Sequence, residues 1–227
     1  MSFAVAMQDV SFGYEANAPI MRVKELFIEA GKRVFIHGAA GSGKTTLLCL
    51  IAGVLHPQRG SCEVLGKDLA QLSMFARDHH RGAEMGYIVQ DSDLTSYLSV
   101  RENIQLPCRT YSSRRERIAS PTINDEVNRI SERLKIRDLL DRSLEELSRK
   151  QQQRVAIARA VIGKPSLVVV DEQSRLGGLS SQRRLLEDLI DLCKETSTTL
   201  IFVSSPRSLM SYFDAAINLS EINQVLA

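Results

Sequence analysis

Cysteine and histidine are scarce in this chain and poorly spaced for chemistry. Cys49, Cys62, Cys108 and Cys193 include no pair at Cys-x-x-Cys spacing, and His37, His56, His79 and His80 stand at no zinc-site interval from them. A metal cluster is therefore not expected; four reduced, mostly buried thiols of a cytosolic protein are. Apolar runs are short, 167–170 being typical, and nothing approaches the ~20 residues of a membrane span. The opening MSFAVAMQDVSF has no positive stretch followed by an apolar run, so no signal peptide is expected. Charge of one sign is lacking too. Lys and Arg total 29 against 27 Asp and Glu, a formal +2, and a total that small does not point to nucleic acid, whose footprint needs clustering on one face. There is no internal repeat or low-complexity tract.

What is present is an ordinary globular balance: 227 residues, 44% apolar and 25% charged. That length suits one domain over 1–227, or one domain with a subdomain. AVAMQDVSF and MRVKELFIEA alternate as strands do. RVFIHG reads as a strand ending in a glycine-rich turn, and TTLLCLIAGVL as a helix over 45–55. SCEVLG and MGYIVQ (85–90) are strand candidates. Pro107 and Pro121 are expected to break regular structure, and SSRRER (112–117) reads as a solvated face. Ile123, Val127, Ile130 and Leu134 fall at helical spacing, so roughly 105–150 is expected to form a helical insertion. A helix over 151–161, the strand SLVVVDE, a helix over 182–194, and the strands TTLIFVSS and AAINLS complete the pattern. Strand and helix alternate after residue 32, which predicts an α/β core with a mainly parallel sheet.

The strongest signal is Gly38-Ala39-Ala40-Gly41-Ser42-Gly43-Lys44-Thr45, a full match to Gly-x-x-x-x-Gly-Lys-Ser/Thr between a strand and a helix. Glycines let the backbone wrap so that successive N–H groups face a phosphate, and the helix N-terminus adds partial positive charge. Lys44 is expected to reach β- and γ-phosphates, and Thr45 to offer its hydroxyl to Mg²⁺, with Thr46 beside it on the nucleotide. The second signal is Asp171-Glu172 after Val168-Val169-Val170. Carboxylates at the tip of a parallel strand face the ligand crevice. Asp171 is expected to hold Mg²⁺ and Glu172 to orient or deprotonate an attacking water.

With phosphate loop, Gln90, LSRKQQQRVAIARA and LVVVDE in that order and at those separations, the whole chain resembles the nucleotide-binding subunit of an ABC transporter. QRVAIARA (153–160) and VRENI (100–104) are most similar to the lipoprotein-releasing, macrolide-export and cell-division type. The resemblance implies a phosphate-loop nucleotidase core with N-terminal antiparallel strands and a helical subdomain. It implies ATP and Mg²⁺ as ligands, Tyr14 stacked on adenine, and Gln90 sensing Mg²⁺ and γ-phosphate. It also implies a second nucleotide-binding protomer, in a homo- or heterodimer, and an integral-membrane subunit docking near 105–150. The location implied is cytoplasmic, peripheral on the inner face of the plasma membrane.

Three stretches depart from the family pattern. Its signature Leu-Ser-Gly-Gly-Gln reads Leu147-Ser148-Arg149-Lys150-Gln151 here, so Ser148 and Gln151 remain while two cations replace the glycines that closely approach the partner's ATP. Ser205 stands where the family has its switch histidine. Gly178 replaces the last aspartate of the loop after the glutamate. The nucleotide-holding set Lys44, Thr45, Gln90, Asp171 and Glu172 is intact. The reading is therefore an ATP-binding subunit of a membrane ABC-type complex, with slow or partner-dependent hydrolysis coupled to movement of membrane subunits. The alternative is an impaired regulatory or scaffolding module that binds ATP. A soluble cassette acting on DNA or ribosomes would need tandem domains or long coiled-coil arms, and the chain has neither, so nucleic acid is not an expected partner.

Overall fold

The computed structural model describes residues 2–15, 18–88, 94–118, 122–172, 179–204 and 207–225, with backbone alone at 172 and 179–182. In chain order the elements begin β1 (Phe3–Phe12), β2 (Met21–Glu29), β3 (Arg33–His37), α1 (Lys44–Ile51), β4 (Arg59–Val64), β5 (Lys67–Asp68), α2 (Met74–Glu84), β6 (Met85–Ile88) and α3 (Val100–Thr110). They continue with α4 (Ser112–Glu116), α5 (Ile123–Arg133), α6 (Arg149–Val161), β7 (Leu167–Glu172), α7 (Leu179–Glu195), β8 (Thr199–Ser204), β9 (Ala215–Asn218) and α8 (Leu219–Ile222). The chain forms two compact units. The first comprises Met1–Arg81, Val169–Ser174 and Thr199–Ala227, and the second Gly82–Val168 and Arg175–Thr198.

The first unit holds two kinds of sheet. An antiparallel sheet runs in the order β2-β1-β4-β5. Alternation holds in two stretches of each strand, with Val5 and Met7, then Val10 and Phe12 of β1, and Met21 and Val23, then Leu26 and Ile28 of β2 buried; the β1–β4 register shifts between Gln8 and Ser11, where the buried face of β1 changes parity. The β1–β2 register pairs Val10 with Val23 and Phe12 with Met21. A second sheet is parallel, ordered β7-β8-β3-β9 within this unit. β3, β7 and β8 read as continuous apolar runs because both faces are covered, with β8 buried along its whole length, while β9 at the sheet edge is exposed or half-buried. Phe35 of β3 anchors the core, with ring centroids 6.1 Å from Phe202 and 5.3 Å from Phe213, pairs worth about 0.5–1.5 kcal/mol each beyond burial. At the head of β3, Arg33 forks onto Asp214: its backbone N and Nε donate at 2.8 and 2.9 Å, and a further guanidinium N–H reaches the other carboxylate oxygen.

The second unit is mainly helical. Ser99 and Glu102 form a capping box at α3, Thr122 and Asp125 another at α5, and Ser148 and Gln151 a third at α6. α3 packs against α4, α5 and α6. Val127, Ile130 and Leu134 are buried, as the periodicity of α5 requires.

Four sequence expectations change. The first helix ends at Ile51 rather than 55, where the Val54 and Leu55 amides both turn back to the Cys49 carbonyl. Pro107 does not break the chain; it lies inside α3 about one turn from its end, where the missing N–H removes a single bond. SSRRER is a solvated face only in part, through Ser112, Arg115 and Glu116. Arg114 is 2% exposed and donates to the carbonyls of Met85, Ala160 and Ile162 at 3.0, 2.8 and 2.8 Å. Burial pulls its guanidinium down to about 10. Helix α2 was not anticipated at all. It buries polar groups: Arg77 donates to the Gly53 and Leu72 carbonyls, and His80 Nε2 meets the Val64 carbonyl at 3.0 Å.

All four cysteines are thiols outside any disulfide, and burial pushes Cys62 and Cys108 up to about 12 and about 11. Among the described residues no helix is long and apolar enough to cross a membrane.

Candidate functional site

The site grows from the end of β3. Four of its five residues are buried, so the strand is fixed before the chain turns through 38–43. Gly41 and Gly43 adopt φ of 79° and 90°, a region closed to most side chains. Gly38 is needed for a different reason, since a Cβ there would lie 2.6 Å from Ser42 Oγ. The Ser42 hydroxyl is buried inside the loop with no hydrogen-bond partner. Helix α1 starts from Gly43 with no side-chain cap hydrogen bond. Lys44 arches back, its Nζ donating to the Gly38 and Ala39 carbonyls at 2.9 and 2.7 Å. Desolvation lowers its pKa, with Asp171 acting in the opposite direction.

An acid–hydroxyl pair joins this loop to a distant part of the sequence. Strand β7 delivers Asp171 to the start of α1, where Thr45 Oγ1 donates to Asp171 Oδ2 at 2.9 Å. Asp171 is 5% exposed and Thr46 8%. A hydroxyl and a carboxylate this close, both hard oxygen donors, make a set suited to Mg²⁺, and the buried Ser42 hydroxyl lies in the loop that would wrap a phosphate.

In the second unit, Ser148 is the N-cap of α6. Its hydroxyl and backbone N both donate to Gln151 Oε1, at 2.9 and 2.8 Å, and Gln151 N returns a long bond to Ser148 Oγ at 3.4 Å. Arg149 and Lys150 occupy the first turn and are exposed. Gln152 ties the approach to this helix by donating to the Leu144 and Leu147 carbonyls.

Comparison with known proteins matches the ABC transporter family model to residues 22–175, which takes in the loop, the signature stretch and β7. The chain belongs to the ABC transporter family. It is 31% identical over 93% of its length to the ABC transporter ATP-binding protein YxdL of Bacillus subtilis, covering 81% of that protein. It is 30% identical to the lipoprotein-releasing system ATP-binding protein LolD of Pseudomonas fluorescens, with 96% and 95% of the two chains covered. Two solved structures share the fold. CbiO1 of Clostridium perfringens, part of an ABC transporter complex, superposes with a TM-score of 0.81 at 21% identity over 96% of this chain and 85% of that one. The ATP-binding cassette MJ0796, in a dimeric post-hydrolysis state with ADP and Pi, gives 0.79 at 23% over 94% and 93%.

Within this ABC cassette the first unit brings Gly38, Gly41, Ser42, Gly43, Lys44, Thr45, Thr46 and Asp171 together. Tyr14 belongs to the same unit but is 72% exposed, its ring edge-on to Phe12 at 5.3 Å. Ser148 and Gln151 belong to the second unit and pair with each other. Gln90, Gly178 and Ser205 lie outside the described residues, as does the Glu172 side chain. Sequence reading passed over Asn223, which is 1% exposed and reaches the Ser42 carbonyl. An asparagine in INQ, about 180 residues from the loop, carries no local signal of that contact.

Proposed function

We propose that this chain is the ATP-binding subunit of a membrane ABC transporter-type complex and works as an Mg²⁺-dependent ATPase. The observation that carries the reading is the 2.9 Å contact of Thr45 with Asp171 at the mouth of a complete phosphate loop. Thr45 and Asp171 would hold Mg²⁺, which when bound neutralises phosphate charge. Lys44 would exchange its two loop carbonyls for charge-assisted bonds to β- and γ-phosphate oxygens. The amides of the loop and of the first turn of α1 would complete the cradle, and Thr46 would border it. Glu172 would orient and deprotonate the attacking water, with Gln90 and Ser205 near the γ-phosphate. Tyr14, already exposed, would stack on the base. Ser148 and Gln151 would face the nucleotide of a second protomer. The helical segment 105–150 would dock on the cytoplasmic side of an integral-membrane subunit, placing the chain at the inner face of the membrane. Arg149 and Lys150 in the signature make hydrolysis slow or dependent on that partner.

The test is phosphate release by the purified chain with and without Mg²⁺, alongside ADP binding, for the native sequence, Lys44→Ala and Glu172→Gln. The expected outcome is binding by the native chain and a fall in release of roughly 10²–10³-fold on losing Lys44. Binding with release no higher than that of Lys44→Ala would confine the chain to a role driven by nucleotide binding. No ADP binding would end the reading.

A further inference from the structure

Asn223 follows the short helix α8 close to the end of the chain, and its amide group is fully used. Oδ1 accepts from the backbone N–H groups of Arg22 at 2.9 Å and Val225 at 3.3 Å. Nδ2 donates to the carbonyls of Ile20 at 3.1 Å and Ser42 at 3.5 Å. The two N–H donors fix which end is oxygen, so the orientation of the amide follows from its partners. The backbone repeats the tie, since Asn223 bridges to Val23 and the Gln224 N–H donates to the Arg22 carbonyl at 2.9 Å. One buried side chain thus fastens the phosphate loop to the lead-in of β2.

The direction of the Ser42 contact gives it a functional consequence. In a planar trans peptide, the Ser42 carbonyl and the Gly43 N–H point opposite ways. Holding the carbonyl towards Asn223 turns the Gly43 N–H to the other side, into the curve of the loop. Gly43 is free to swing because it is a glycine at φ 90° and ψ 15°. A Cβ there would approach Met21 Cε at 2.8 Å and Asn223 Nδ2 at 3.7 Å, so this same floor supports the turn from below. We propose that Asn223 is a positioning residue for the phosphate loop, aiming the Gly43 amide at the β-phosphate of a bound nucleoside diphosphate or triphosphate. The inference rests on the proposed nucleotide-binding reading.

Asn223→Asp keeps the shape and both acceptor contacts but removes the donors to Ser42 and Ile20. Asn223→Ser is a second, uncharged variant. Ser42-Gly43 is the sequence's one Ser–Gly peptide, so carbonyl-¹³C serine with ¹⁵N glycine labels that amide alone. ADP should move the Gly43 resonance downfield in the native chain, and by less than half as much in both variants. ADP should bind the variants about tenfold more weakly, the scale of one lost hydrogen bond. AMP, which lacks the phosphate the loop would grip, should weaken less than twofold. Equal losses for ADP and AMP, an unaltered Gly43 shift, or failure of both variants to fold would overturn the inference and leave Asn223 as a packing residue. A native chain that ignores ADP would instead bring down the nucleotide reading beneath it, and this inference with it.

Discussion

Two helices begin at the positions that matter most, and they begin differently. Helix α1 starts from Gly43 in a left-handed conformation with no side-chain cap, whereas α6 starts from Ser148 in an extended conformation with a reciprocal capping box. In the first, the loop's glycines bend the backbone so that amides line a concave turn. In the second, the Ser148 and Gln151 side chains cap each other's backbone N–H groups, and Arg149 and Lys150 are exposed. The first terminus carries no side-chain cap of its own; the second carries a reciprocal one. A helix can therefore retain Ser and Gln from a ligand-facing motif for a purely local reason, because Ser-x-x-Gln is also a helix-start pattern.

The largest predicted effect tests the scaffold beneath α6. Arg114 serves three buried carbonyls at 3.0 Å or less. Arg114→Met leaves them unpaired and should cost about 3 kcal/mol in chemical denaturation, where a solvated arginine would cost almost nothing. Next comes the cap itself. Ser148→Ala should lower stability by about 1 kcal/mol while Ser148→Gly costs only a few tenths. If both are silent, the box is not what starts α6, and the contrast with α1 fails. The smallest effect concerns the strand that delivers the loop. The Arg33 hydrogen bonds, backbone and side chain, hold the Asp214 carboxyl at about 2. That value lies below the unfolded one of about 3.9, so the stabilisation is whole above about pH 4 and is lost as pH falls through about 2. The pair is partly exposed, so screening reduces its worth to about 0.5–1 kcal/mol. Asp214→Asn should show that difference in melting at pH 7 and a progressively smaller one as pH falls through about 2.

Legibility followed the kind of burial. Elements that bury apolar side chains could be read directly: the alternation of β1 and β2, the valine run of β7, and Val127 and Ile130 on α5. Elements that bury polar side chains could not. Helix α2 seats Arg77 and His80 at i and i+3, so its inner face is invisible to an apolar count. Arg114 looked like surface for the same reason. Its guanidinium is tolerated inside only because backbone carbonyls from two separate places, the start of β6 and the end of α6, converge on it.

By itself the sequence determined the phosphate loop, the acidic strand tip and the α/β alternation. Each is a local pattern in which spacing alone decides what the backbone can do. Tertiary structure decided which distant groups share that site. Thr45 meets Asp171 across 126 positions, and Asn223 reaches Ser42 across 181. Those contacts depend on how strands order themselves in a sheet, and the sequence spacing between such residues holds no trace of it.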